Sequence, residues 1–188
     1  MAKLSRSFFS RDAETVAREL IGKIISHHYR SKIFSSRIVE TEAYVGAHDL
    51  ACHASKGRTA RTEIMFGEAG FAYVYLVYGI HELFNIVTGK LDDAQAVLIR
   101  AAEPIDGRSV NLTGPGNFSK GMKITREQNK LDITGDILFL SVDEKAMDAK
   151  IDMQATRRIG VDYALEWKDT KLRFFDAANP CVSRRNFR

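Results

Sequence analysis

Two glutamates stand two residues apart in the run Arg37-Ile38-Val39-Glu40-Thr41-Glu42-Ala43-Tyr44, whose β-branched content predicts a strand. A period of two sets Ile38, Glu40, Glu42 and Tyr44 on one face. Carboxylates so placed can take a proton from water and stabilise a developing positive charge, or they can simply line a solvent-facing edge. Arg100 closes the apolar run Ala96-Val97-Leu98-Ile99, and a guanidinium at the end of a buried strand calls for a carboxylate. Glu42 or Glu103 is the expected partner, in an arrangement that suits a structural ion pair as well as a site.

The richest stretch is Phe71-Ala72-Tyr73-Val74-Tyr75-Leu76-Val77-Tyr78-Gly79. On a strand, Tyr73 and Tyr75 share a face while Tyr78, next to Gly79, falls in an exposed turn. Such rings can stack on an extruded base or wedge into a base step; ordinary cross-strand packing is the plain alternative. Asn85 can bond a purine edge or serve a turn. His48, Asp49 and His53 follow no metal-ligand spacing, so no metal is expected. Cys52 and Cys181 form neither a zinc motif nor a disulfide framework.

The elements that must hold these residues read as mixed α+β. Ser10 is the expected cap of a helix whose Ala13, Val16, Ala17, Leu20 and Ile21 recur at helical spacing, with Gly22 as terminator. A further short helix is expected from Pro115. Strand-like runs are Ile24 to His28, Ser36 to Tyr44, Phe71 to Tyr78, Ala96 to Ala101, Ile137 to Val142, Ile151 to Thr156 and Lys171 to Phe175. They do not alternate with long helices, which argues against a doubly wound parallel sheet.

With 188 residues, only three prolines and no linker-like segment, residues 1–188 are expected to form one domain. No apolar run has the length to cross a bilayer, and no uninterrupted apolar leader precedes Arg11 and Asp12. A cytoplasmic monomer is therefore expected, nucleoid-associated if bacterial. The excess of 28 Lys and Arg over 24 Asp and Glu is mild. Its distribution, with Lys56, Arg58 and Arg61 in one loop and Arg184, Arg185 and Arg188 at the C-terminus, suits either a solvated surface or an acidic partner.

The order of these segments resembles the alkyladenine (3-methyladenine) DNA glycosylase family. It is carried by Arg37 to Tyr44, His53, Met65-Phe66, Tyr73-Val74-Tyr75 with Tyr78-Gly79, Asn85, Val97-Leu98 before Arg100, and Glu103-Pro104. Gly114-Pro115-Gly116, Arg158-Ile159-Gly160-Val161 and Lys171-Leu172-Arg173-Phe174 extend it from about Phe8 to Ser183. The resemblance implies a single mixed domain with a curved, largely antiparallel sheet, flanking helices and a protruding β-hairpin. It implies a partner, double-stranded DNA containing damaged purines, no cofactor, and release of the base by hydrolysis without a lysine Schiff base or strand cleavage. Glu42 would be the general base, with Arg100 and the Val161 carbonyl holding the same water. Tyr44 and Tyr75 would stack on the flipped purine, His53 would contact its edge, Asn85 would filter purines, and Tyr78 would replace the extruded nucleotide. Leu98 would lie near the minor groove, and Arg61, aligned through a one-residue gap, would contact phosphate. Cys52, His81 and the loop from Gly89 to Asp93 depart from the family pattern.

Overall fold

The computed structural model describes residues 2–143 and 150–183. The basic cluster Arg184, Arg185 and Arg188 lies outside the described residues. Three α-helices, α1 (Arg6–Phe9), α2 (Ala13–Leu20) and α3 (Pro115–Gly121), accompany eight strands: β1 (Ile24–Tyr29), β2 (Lys32–Tyr44), β3 (Ala72–Val77), β4 (His81–Thr88), β5 (Gln95–Pro104), β6 (Leu138–Ser141), β7 (Met153–Thr156) and β8 (Arg173–Asp176). The strands form one curled sheet in the order β3-β4-β5-β2-β1-β6, with β8 paired to both β2 and β7. Every described strand pair is antiparallel. This is the expected α+β fold, and β3–β4 supplies its hairpin.

Local chemistry corrects two expectations. Asp12, not Ser10, caps α2, its carboxylate accepting from the Thr15 amide at 2.9 Å. Ser10 instead donates to the Arg6 carbonyl at the end of α1. Strand β4 was not among the expected runs, because His81, Glu82 and Asn85 break its apolar character. Pairing overrides that composition: Phe84, Ile86 and Thr88 alternate into the interior, fully or almost fully buried.

The long strand β2 organises the sheet, with β5 along one edge and β1, then β8, along the other. Its register with β5 slips twice: Ile38 faces Ala102, Glu40 faces Ala101, and Thr41 faces Ile99. Val39 and Arg100 are thus the extra residues, one on each strand, and such a bulge re-aims the side chains beyond it. Ile38, Ala43, Val97, Ile99 and Ala102 all join the main core beside α2. The Thr41 hydroxyl donates to the Ala17 carbonyl of α2. Glu40, Glu42, Tyr44 and Arg100 take the opposite face. Ile38 therefore does not share a face with the glutamates, contrary to simple alternation.

A buried ion pair ties the loop after β7 to the loop after β2. Arg158 grips Asp49 through both guanidinium ends, at 2.5 and 2.9 Å, and also donates to the Ala43 carbonyl. Both side chains are wholly buried. Removing one partner strands the other charge in a low-dielectric interior, so Arg158→Met is expected to cost about 3–5 kcal/mol in denaturant unfolding. Glu14→Ala, which breaks the exposed Glu14–Arg18 pair of α2, is expected to cost less than about 1 kcal/mol. Equal losses would mean that the buried pair is not a structural tie.

Candidate active site

The opposite face of the sheet opens into a cleft of about 470 Å³. Strand β2 contributes Glu42 and Tyr44, β3 Tyr73 and Tyr75, β4 Asn85, and β5 Leu98 and Arg100. The loops add His53 from a short 3-10 turn and Val161 from the segment after β7, while Tyr78 stands at the rim. The geometry thus brings together nine of the ten residues singled out in the sequence. The tenth, Arg61, is exposed and lays its guanidinium over the Tyr75 ring, 4.9 Å from the centroid.

The two glutamates occupy different chemical environments. Both are fully buried, against the reading of a solvent-facing edge. Glu40 accepts from Arg100 Nε at 2.9 Å, Arg173 Nε at 2.6 Å, and the amide and hydroxyl of Ser183, each at 2.8 Å. It does not line the cleft. Burial pushes its carboxyl upward, but Arg100, Arg173 and Ser183 together hold it below the ordinary range.

Glu42 lies on the floor of the cleft. Its Oε1 accepts from the Ile159 amide at 2.8 Å and faces Arg100 Nη1 at 3.2 Å, and its Oε2 accepts from the Tyr44 hydroxyl at 2.9 Å. An ionised carboxylate offers about four lone-pair sites; these three contacts leave one for a further donor, such as water. Arg100 bridges both acids. Burial works against its charge, but Glu42 and Glu40 hold it more firmly protonated than a free arginine. Its other expected partner, Glu103, pairs instead with Arg37.

Aromatic rings form the walls. His53 Nδ1 and the Tyr73 hydroxyl are joined by a 2.8 Å hydrogen bond, and the imidazole meets Tyr75 edge-on with centroids 4.6 Å apart. Burial, reinforced by the nearby Arg61 and Lys56, lowers the His53 pKa to about 4, so the ring is neutral near pH 7. Burial, then the Glu42 charge, drives the Tyr44 phenol well above its usual value and keeps its proton available to Glu42. Cys52, raised to about 11 by burial, stays a thiol. Of the residues weighed for a metal, Asp49 is held by Arg158 and His53 by Tyr73, while His48 packs edge-on against Trp167.

At the cleft rim the β3–β4 hairpin turns through Tyr78-Gly79-Ile80. Tyr78 is 91% exposed and Ile80 73%. Tyr78 also has a φ of +52°, a left-handed conformation that a bulky aromatic residue rarely adopts.

Residues 7–180 match the family model of methylpurine-DNA glycosylase (MPG). The chain belongs to that family. A protein of Legionella pneumophila (strain Lens), provisionally named a 3-methyladenine DNA glycosylase, is 47% identical over 184 residues, covering 98% of this chain and 100% of that protein. Proteins with the same provisional name from Anaeromyxobacter sp. (strain Fw109-5) and Methanocella arvoryzae are 46% and 42% identical, covering 97% and 98% of this chain and 93% and 98% of their own lengths. Membership in this glycosylase family makes the chain a DNA-repair hydrolase acting on N-glycosyl bonds. Residues that the sequence reading missed include Arg173 and Ser183, whose contacts with Glu40 span 133 and 143 positions. No local pattern could have linked them.

The lowered His53 pKa has a consequence for stability. The unfolded chain binds a proton at His53 near pH 6.5 and the folded chain only near pH 4, so stability rises with pH across that window. His53 contributes its full share above about pH 6.5 and loses it as pH falls toward about 4. Thermal melting between pH 4 and 7 is expected to show a shallower slope for His53→Gln than for wild type; identical slopes would contradict a buried neutral imidazole.

Proposed function

We propose that this glycosylase flips an alkylated or deaminated purine out of duplex DNA and hydrolyses its N-glycosidic bond with water activated by Glu42. The observation that carries this reading is the place of Glu42 in the cleft lining, held by the Ile159 amide, Arg100 and the Tyr44 hydroxyl, while Glu40 takes its four hydrogen bonds behind the cleft. The ring pair Tyr44 and Tyr75 gives an extruded purine its stacking surfaces, with His53 and Asn85 at its edges. Val161 lines the same cleft, and its carbonyl, which accepts from the Ala164 amide at 2.9 Å, has a second lone pair to orient the water. Leu98, opposite Glu42 in the β2–β5 register, gives the sugar an apolar surface. Arg61, exposed beside Tyr75 and outside the cleft, is the proposed phosphate contact.

The reaction passes through an oxocarbenium-like sugar, and one carboxylate serves it twice, taking a proton from water and facing the developing positive charge. A cationic lesion such as 3-methyladenine or 7-methylguanine leaves as a neutral base. Hypoxanthine and ethenoadenine leave more readily once protonated. Because the attacking group is water, the product is an abasic site in an intact strand. The enzyme acts as a monomer on double-stranded DNA and needs no cofactor.

Glu42→Gln preserves shape but removes the base. It is expected to lower single-turnover excision at least 100-fold in the presence of a chelator while binding an abasic-site duplex as wild type does. Glu40→Gln is expected to show a milder rate loss but a larger loss of melting temperature. Retained excision by Glu42→Gln would remove it as the base.

Tyr78, with its exposed ring, contributes little to the core and, in this reading, fills the space of an extruded nucleotide. Flipping costs a few kcal/mol for a well-paired base and least for an unpaired one. Tyr78→Ser is therefore expected to slow excision of hypoxanthine more in a fully paired duplex than in a bulge, with an unchanged melting temperature. Equal loss on both substrates with early unfolding would make it a packing residue.

A further inference from the structure

Four charged side chains run in alternating sign from behind the cleft to its floor: Arg173, Glu40, Arg100 and Glu42. Only the last two touch the cleft. Arg173, among the largest side chains with no exposed surface, reaches Glu40 through Nε, the Ser183 carbonyl through Nη2 at 2.7 Å and the Thr156 hydroxyl through Nη1 at 3.3 Å. Ser183 in turn gives both its amide and its hydroxyl to Glu40. One short segment at the C-terminal end of the described chain therefore completes the coordination of a carboxylate that never meets the substrate cleft.

We infer that Arg173 and Ser183 are positioning residues for hydrolysis, satisfying Glu40 so that the Nη1 end of Arg100 is left to Glu42. The inference rests on Glu42 being the water-activating group. The physical reason is a competition. Arg100 gives Nε to Glu40 and Nη1 to Glu42, and two buried carboxylates sharing a single cation cannot both remain ionised easily. Arg173 supplies the second cation that removes the conflict.

The groups facing the two acids define what a pH profile reads. Glu40 meets Arg100 from β5, Arg173 from β8 and Ser183 from the final turn. Glu42 meets Arg100 from β5, Tyr44 from its own strand and the Ile159 amide from the loop after β7. Arg158, Tyr75 and Tyr163 also stand within reach of the Glu42 charge. A substitution at residue 173 removes one of the groups on Glu40 and none of those on Glu42. Release of 7-methylguanine, a cationic base that leaves without prior protonation, makes the acid limb of the pH–rate profile report ionisation of the water-activating carboxylate.

The test is single-turnover excision of 7-methylguanine from duplex DNA against pH, using the full chain, with binding to an abasic-site duplex and thermal melting measured alongside. Arg173→Gln is expected to move the acid limb up by about one pH unit or more and to lower the rate at least tenfold, with abasic-site binding unchanged. Arg173→Lys, which keeps the charge, is expected to return the limb to the wild-type position. The double variant Glu40→Gln/Arg173→Gln removes both the competing acid and its cation; Arg100 then serves Glu42 alone, and the limb is expected below that of wild type. This double variant also keeps the test decisive if Arg173→Gln fails to fold. A limb unmoved in the double variant, or in a folded Arg173→Gln whose rate merely follows its melting temperature, would overturn the inference. Loss of the Glu42 reading is distinguishable, because it appears as excision retained in Glu42→Gln whatever the limb does.

Discussion

The site depends on one constraint: two carboxylates on the cleft-side face of a buried strand must find polar partners away from water. Isolated, each would cost several kcal/mol to desolvate. The structure meets that cost by alternating signs across three strands, with Arg173 on β8, the acids on β2 and Arg100 on β5. The paired register slips make this possible. Without Val39 and Arg100 as extra residues, alternation would turn Ile38 and the glutamates to the same face and separate the site from the core that supports it. A bulge on each strand instead gives α2 its apolar floor and the cleft its charges.

The same arrangement divides labour between the acids. Glu40 has four hydrogen bonds and lies behind the cleft; Glu42 has three polar contacts and lines it. Aromatic walls partly shield the neutral His53 and the Tyr44 hydroxyl from water, which strengthens the polar contacts they make. The hairpin tip does the opposite. It leaves Tyr78 and Ile80 open to solvent, an apolar exposure with no packing benefit in the free protein, and the proposed use for it is against a base stack.

Much of the fold was legible because strands declare themselves through β-branched and aromatic runs: seven of the eight lie within a few residues of their expected limits. Strand β4 was not, because its polar His81, Glu82 and Asn85 conceal a half-buried pattern that only its pairing reveals. Individual site residues were visible as uncommon types in strand contexts, notably Glu42, Arg100 and the tyrosines. Spacing alone could not separate Glu42 from Glu40; the family resemblance favoured Glu42, and the fold sets Glu42 in the cleft lining with Glu40 behind it. Arg173 and Ser183 were invisible as partners of Glu40, since a strand period carries no information about contacts more than 130 positions apart. The bulges were equally hidden, because a slip in register leaves the composition of each strand unchanged.

The most direct test of the account is a crystal structure of the protein on a duplex carrying a stable abasic-site analogue. The account predicts Tyr78 within the base stack at the vacated position, the sugar turned into the cleft, and a water hydrogen-bonded to the open side of the Glu42 carboxylate and to the Val161 carbonyl. A duplex bound with its abasic sugar still in the helix and Tyr78 outside the stack, or a water held by Glu40 rather than Glu42, would contradict it.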